Sequence, residues 1–199
     1  MDKQAGIGYI EMIVVIAIIA ILAGVTMVRL VPTKRTNELE GAANLVQSAV
    51  VEAREKAYSP KPSVLVDQPS DIYGYGVKLK LDSGANQEFS LFKDKVNTGT
   101  PSNQGKWSAE DEILTTYKFL DSNISNVIFK KFIKDGIDDT NLGDRSIVFQ
   151  TSELTSTRKI YFDGVSSFST VSIVLQNAQD ISQTKRVTIN FKSGEAKVE

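Results

Sequence analysis

Ile7-Gly8-Tyr9-Ile10-Glu11-Met12-Ile13-Val14-Val15-Ile16-Ala17-Ile18-Ile19-Ala20-Ile21-Leu22-Ala23-Gly24-Val25 is apolar enough to cross a membrane, apart from one carboxylate at Glu11. The apolar run from Met12 to Val28 holds about 17 residues, or roughly 26 Å as a helix, close to the hydrocarbon thickness of a bilayer. An Asp or Glu near the bilayer centre costs roughly 2.5–3.5 kcal/mol unless it is paired. No basic residue lies within a helical turn or two of Glu11. Its partner must therefore come from another chain, or from an α-amino group made by cutting the peptide just upstream.

The rest of the composition narrows the function classes. With 199 residues and 41% hydrophobic content, the chain can hold one modest globular domain plus a long helix. A net charge of −1 predicts no general attraction to nucleic acid or anionic lipid. There is no Cys, which excludes disulfides and thiolate metal sites, and no His, which removes the commonest general base and metal ligand. Acidic pairs occur throughout the chain, but no motif marks any of them as catalytic. The chain is expected not to be an enzyme and to need no cofactor.

A conventional cleaved secretory signal fits the N-terminus poorly. Its basic region would be Lys3 alone, offset by Asp2, and Ala20 and Ala23 form no clean Ala-x-Ala site. A simple uncleaved signal anchor leaves Glu11 unexplained. The register of Lys3, Gly6, Glu11 and the apolar run suggests a sharper reading. A cut after Gly6 frees Ile7 as a new N-terminus and makes Glu11 the fifth residue of the mature chain.

That pattern resembles the class III signal of type IV pilins and type II secretion pseudopilins: a short basic leader ending in Gly, Glu at the fifth mature position, then a helix rich in Val, Ile, Ala and Leu. The resemblance implies that a prepilin peptidase of the inner membrane cuts between Gly6 and Ile7, and that the new amine of Ile7 is N-methylated. It also implies that Glu11 pairs with the N-terminus of a neighbouring subunit as the helices stack into a filament. A lone carboxylate in an apolar bundle selects one axial register, since every other register leaves it unpaired. The implied partners are the peptidase, other pilin or pseudopilin subunits through the helix, and an inner-membrane assembly platform. The implied location is a single pass of the inner membrane with the C-terminal domain extracytoplasmic, then the filament. The family's usual Phe at the first mature position is Ile7 here. Arg29, Lys34 and Arg35 follow the span whereas only Lys3 precedes it, a charge bias opposite to the implied orientation.

Beyond the leader (1–6) and the membrane or filament-core helix (7–31), an amphipathic continuation is expected over 32–58. Leu39, Ala42, Val46, Ala49, Val50, Ala53 and Ala57 recur there at helical spacing. Gly24 and Pro32 weaken helices, so any break would fall between them. Ser59-Pro60-Lys61-Pro62 should stop the helix near Tyr58. From 63 to 199 the chain reads as a β-rich globular domain. Strands are expected at 63–66, 73–81, 88–92, 114–120, 126–129, 146–149, 158–162, 170–175, 186–191 and 196–198, the last two joined by a tight turn at Lys192-Ser193-Gly194-Glu195. The expected fold class is α+β, a long N-terminal helix packed on an antiparallel β-sheet domain.

Glu52-Ala53-Arg54-Glu55-Lys56-Ala57 at the helix end, and the closing strand–Ser193-Gly194–strand hairpin, resemble the H-type minor pseudopilins and FimT-like minor pilins. This resemblance implies a minor structural subunit of a type IV pilus or a type II secretion pseudopilus. Two other readings stand beside it: a membrane-anchored binding module that never polymerises, and a minor pilin of DNA uptake. For the latter, Lys185, Arg186, Lys192 and Lys197 could touch phosphates, but Asp180, Glu195 and Glu199 dilute that field, and edge-strand Lys commonly guards against aggregation. Nucleic acid is therefore not the expected partner. The acidic segments 92–112 and 135–144 offer oxygens for calcium but keep no D-x-[DN]-x-[DN]-G spacing. Their Asp and Asn are expected to form turns rather than bind a metal.

Overall fold

The computed structural model describes residues 8–59, 72–80, 87–95, 105–109, 111–122, 124–139, 143–151 and 158–199, and the chain is α+β. The leader 1–6, Ile7 and the strand expected at 63–66 lie outside the described residues. The chain divides into two compact units, Met1–Asn37 and Glu38–Glu199. Helix α1 is assigned over Tyr9–Tyr58 and takes in both Gly24 and Pro32. It closes where Ser59 N–H donates to the Glu55 carbonyl at 2.8 Å, just before Pro60, whose ring disfavours helical geometry at the preceding residue.

In the second unit the strands form two antiparallel sheets. The first comprises β1 (Ile72–Leu79), β2 (Glu88–Lys95), β3 (Glu112–Lys118), β6 (Arg145–Thr151) and β7 (Arg158–Phe162), in the order β3-β2-β1-β6-β7. The second comprises β4 (Val127–Lys134), β5 (Ile137–Asp139), β8 (Thr170–Asn177), β9 (Thr184–Asn190) and β10 (Ala196–Val198), in the order β10-β9-β8-β4-β5. One core joins both sheets to the helix. Leu39, Ala42, Val46, Ala49, Val50, Ala53 and Ala57 meet Phe89, Leu91, Ile147 and Phe149 of the first sheet, and Phe129, Ile173, Leu175, Val187 and Ile189 of the second. The many alanines keep this helix face slim, so large residues on the strands fill the space. Full burial of each Phe or Leu stabilises by about 1.5–3 kcal/mol. Phe89 stacks on Tyr117 at 4.9 Å and meets Phe119 and Phe129 at 5.8 and 6.3 Å.

Two features of the second unit depart from the sequence reading. The strand expected at 126–129 runs on to Lys134, and β5, which was not expected, pairs with it through Phe132↔Asp139, Ile133↔Asp138 and Lys134↔Ile137. The turn between them is Asp135-Gly136 with φ of 48° and 84°. Two successive left-handed residues are the geometry of a tight two-residue hairpin, which an Asp-Gly pair adopts readily. The same chemistry recurs at Asp163-Gly164, with φ of 49° and 80°, where Phe162 bridges back to Val165.

At this end of the domain an ion network ties the sheets together. Asp139 of β5 meets Lys134 at 2.9 Å and Arg145 of β6 at 3.4 Å, while Arg145 meets Asp163 at 3.1 Å. Asp163 also accepts the Ser146 N–H at 2.9 Å. Burial raises the Asp163 pKa above the ordinary carboxylate value, against the lowering effect of that amide and of Arg145.

Candidate functional site

Glu11 lies in the first turn of α1, within the stretch Tyr9–Thr26 that is long and apolar enough to cross a membrane. None of that stretch is buried: Ile10, Met12, Ile16, Ile19, Ile21 and Leu22 are all exposed. The backbone around Glu11 is satisfied locally, its N–H donating to the Gly8 carbonyl at 2.9 Å. Thr26 closes the apolar stretch, with its hydroxyl in reach of the Leu22 and Ala23 carbonyls at 3.0 and 2.9 Å. Such a back-bond lets a hydroxyl sit in hydrocarbon without an unmet partner. The Glu11 side chain gains no ion pair among the described residues. Gly6 and Ile7, the expected processing residues, lie outside the described residues.

The two short motifs at the helix end and the closing hairpin meet in the fold. Arg54 donates through Nη1 to the Gly194 carbonyl at 3.2 Å, and Gln47 donates through Nε2 to the Ala196 carbonyl at 2.7 Å. The turn that presents Gly194 is built by Asn190. Its Oδ1 accepts the Lys192 and Ser193 N–H groups at 2.8 and 3.2 Å, and its carbonyl accepts the Gly194 N–H at 2.7 Å. Gly194 has φ of 70°, and a Cβ there would come within 3.0 Å of Arg54 Cδ. Tyr117 of β3 likewise donates to Glu52 at 3.0 Å, so the exposed side of the helix end is tied to both sheets by polar bonds.

The acidic segments serve the fold. In 92–112, Asp94 is buried on β2 and accepts the Gly105 N–H at 3.0 Å, and burial, reinforced by the charge of Asp111, pushes its pKa up to about 7. Asp111 accepts the Ser108 and Lys95 N–H groups at 2.6 and 3.0 Å. Asp94 was not singled out from sequence, because its burial follows from the segment folding back over β2. In 135–144, Asp135 accepts the Ser169 and Thr170 amides at 2.9 and 2.8 Å, Asp138 pairs with Lys131, and Asp144 pairs with Lys78 at 2.8 Å. Residues 96–104 and 140–142 lie outside the described residues. Among the described residues no three acidic side chains converge as metal ligands.

Nor do the basic residues near the end form one stripe. Val187 and Ile189 of β9 are buried, so Lys185 lies on the core side of that strand, whereas Arg186 lies on the outer side with Lys197 of β10. Lys197 is paired with Glu195 at 3.6 Å, and Glu199 stands on the same outer side within 3.4 Å of Thr188. No family model matches this chain, and no characterised protein or solved structure does so.

Proposed function

We propose that the protein is a structural subunit, a minor pilin or pseudopilin, of a type IV pilus or type II secretion pseudopilus. A prepilin peptidase cuts it between Gly6 and Ile7, the Ile7 amine is methylated, and the helix then assembles against other subunits through an inner-membrane platform. The carrying observation is the single carboxylate in the exposed apolar stretch Tyr9–Thr26, with no ion-pair partner among the described residues. Placed five residues past Gly6, Glu11 is within reach of an amine on an adjacent chain when two such helices lie in staggered register. An unpaired carboxylate is costly in hydrocarbon and a paired one much less so, so the pairing fixes the stagger. The β-rich unit then faces the extracytoplasmic side, where it meets neighbouring subunits or cargo.

The test is co-expression with a prepilin peptidase followed by N-terminal sequencing. A mature chain beginning at Ile7 is expected. A chain that keeps Met1, or one cut near Ala23, sinks the reading and leaves the membrane-anchored binding module in its place.

A further inference from the structure

The end of α1, the start of β7 and the β9–β10 turn enclose a cleft of about 430 Å³ lined by Arg54, Glu55, Tyr58, Ser59, Arg158 and Ser193. Its volume lies in the range of ordinary ligand pockets. Both guanidinium groups make contacts with neutral groups. The Arg158 guanidinium lies over the Tyr58 ring at 4.7 Å, and that ring is fixed edge-on against Phe149 at 6.3 Å. Arg54 is anchored by the neutral Gly194 carbonyl. Neither arginine forms an ion pair among the described residues, although Glu55 lies on the rim. Burial pushes the Tyr58 pKa up while Arg158 and Arg54 pull it down, so both cations act on the same wall of the cleft. Ser193 Oγ accepts the Glu195 N–H at 3.2 Å, which leaves its hydroxyl proton to donate, and Ser59 adds a second hydroxyl.

We propose that this cleft binds a carboxylate side chain presented by an acidic peptide segment of another polypeptide. The guanidinium fork matches planar oxyanions, and a pre-positioned fork loses little freedom on binding. Glu55 and the terminal carbonyls of α1 add negative charge at the rim, so a monoanion is favoured over a dianionic phosphate. Nucleic acid needs a track of cations along successive phosphates. Here two arginines share one cleft with Glu55 on its rim and Glu195 on the adjoining turn. The cleft is open to solvent and its lining mixes polar and apolar surface almost equally, which suits a side chain on a peptide strand rather than an enclosed apolar ligand. This inference does not depend on the filament reading.

The experiment uses the full chain in detergent micelles, with the arginine Nε–Hε resonances followed by NMR. A blocked Gly-Glu-Gly-Glu-Gly peptide is titrated beside its Gln counterpart, inorganic phosphate and single-stranded oligothymidylate. The Glu peptide should shift Arg54 and Arg158 saturably, and Arg158→Gln should weaken it at least fivefold while the chain still melts cooperatively. Equal response to the Gln peptide, no saturable shift at either arginine, or undiminished affinity in Arg158→Gln would overturn the proposal. Tighter binding of phosphate or oligothymidylate than of the Glu peptide would overturn it as well and assign the cleft to phosphate chemistry.

Discussion

Glu11, on an apolar helix, and Asp94, buried on β2, differ in how their charge is accommodated. Glu11 is exposed on an apolar helix, and only the proposed assembly gives it a partner on another chain. Replacing it by Val removes the one charged group of the stretch, so membrane insertion and processing after Gly6 should persist. Incorporation into filaments, measured by shearing and immunoblotting, should fall at least tenfold, and normal assembly would remove the role given to the carboxylate. Asp94 is compensated within the fold, by protonation. An Asp whose folded pKa is raised to about 7 favours the folded state while protonated. Its contribution is fully present below the unfolded value of about 3.9, declines as pH rises, and is lost above about 7. Asp94→Asn keeps an acceptor for the Gly105 N–H and cannot ionise. It should be nearly neutral at pH 4 and more stable than the parent at pH 8 by on the order of 2–4 kcal/mol, read as the difference in urea midpoints at the two pH values.

At the scale of elements, the joints of the domain carry the testable energy. Arg145 of the first sheet links Asp139 of the second to Asp163 in the turn after β7, and all three side chains are largely buried. Arg145→Gln removes the cation between Asp139 and Asp163, leaving Lys134 beside Asp139, and should cost about 2–4 kcal/mol in unfolding free energy. The cost should shrink at low pH, where Asp163, with its raised pKa, is protonated. Gly194→Ala forces a side chain into left-handed geometry at φ 70° and against the Arg54 stem. A loss of about 1–2 kcal/mol is expected from the strain and displaced contact, seen as a lowered thermal midpoint. The hairpin around Ser193-Gly194 was legible from alternation in Val187-Thr188-Ile189-Asn190-Phe191 and the turn residues after it. β5 was not, because its three residues are too few to show a period and its Asp-Gly turn lies in a run of oxygen-bearing side chains that also resembles a metal loop.

For the whole molecule, the boundary at Asn37/Glu38 coincides with the start of the buried helix face, whose first core residue is Leu39. Deleting residues 1–35 should therefore leave a domain that is soluble without detergent and melts cooperatively with its β-type circular dichroism retained. A molten or aggregating product would show that the first unit is needed for the core. Local chemistry was enough to mark the apolar helix, the lone Glu11, the stop before Pro60 and most strands, because hydrophobic period, helix breakers and turn residues act over a few positions. The division of the strands between two sheets was not legible. Nor were the contacts of Arg54 and Gln47 with a turn about 140 residues away, the pairing of Arg145 across the sheets, the burial of Asp94, or the assembly of the arginine cleft. Those depend on which distant segments the core brings together, and that is settled by the packing of large strand residues against an alanine-rich helix face rather than by any local preference.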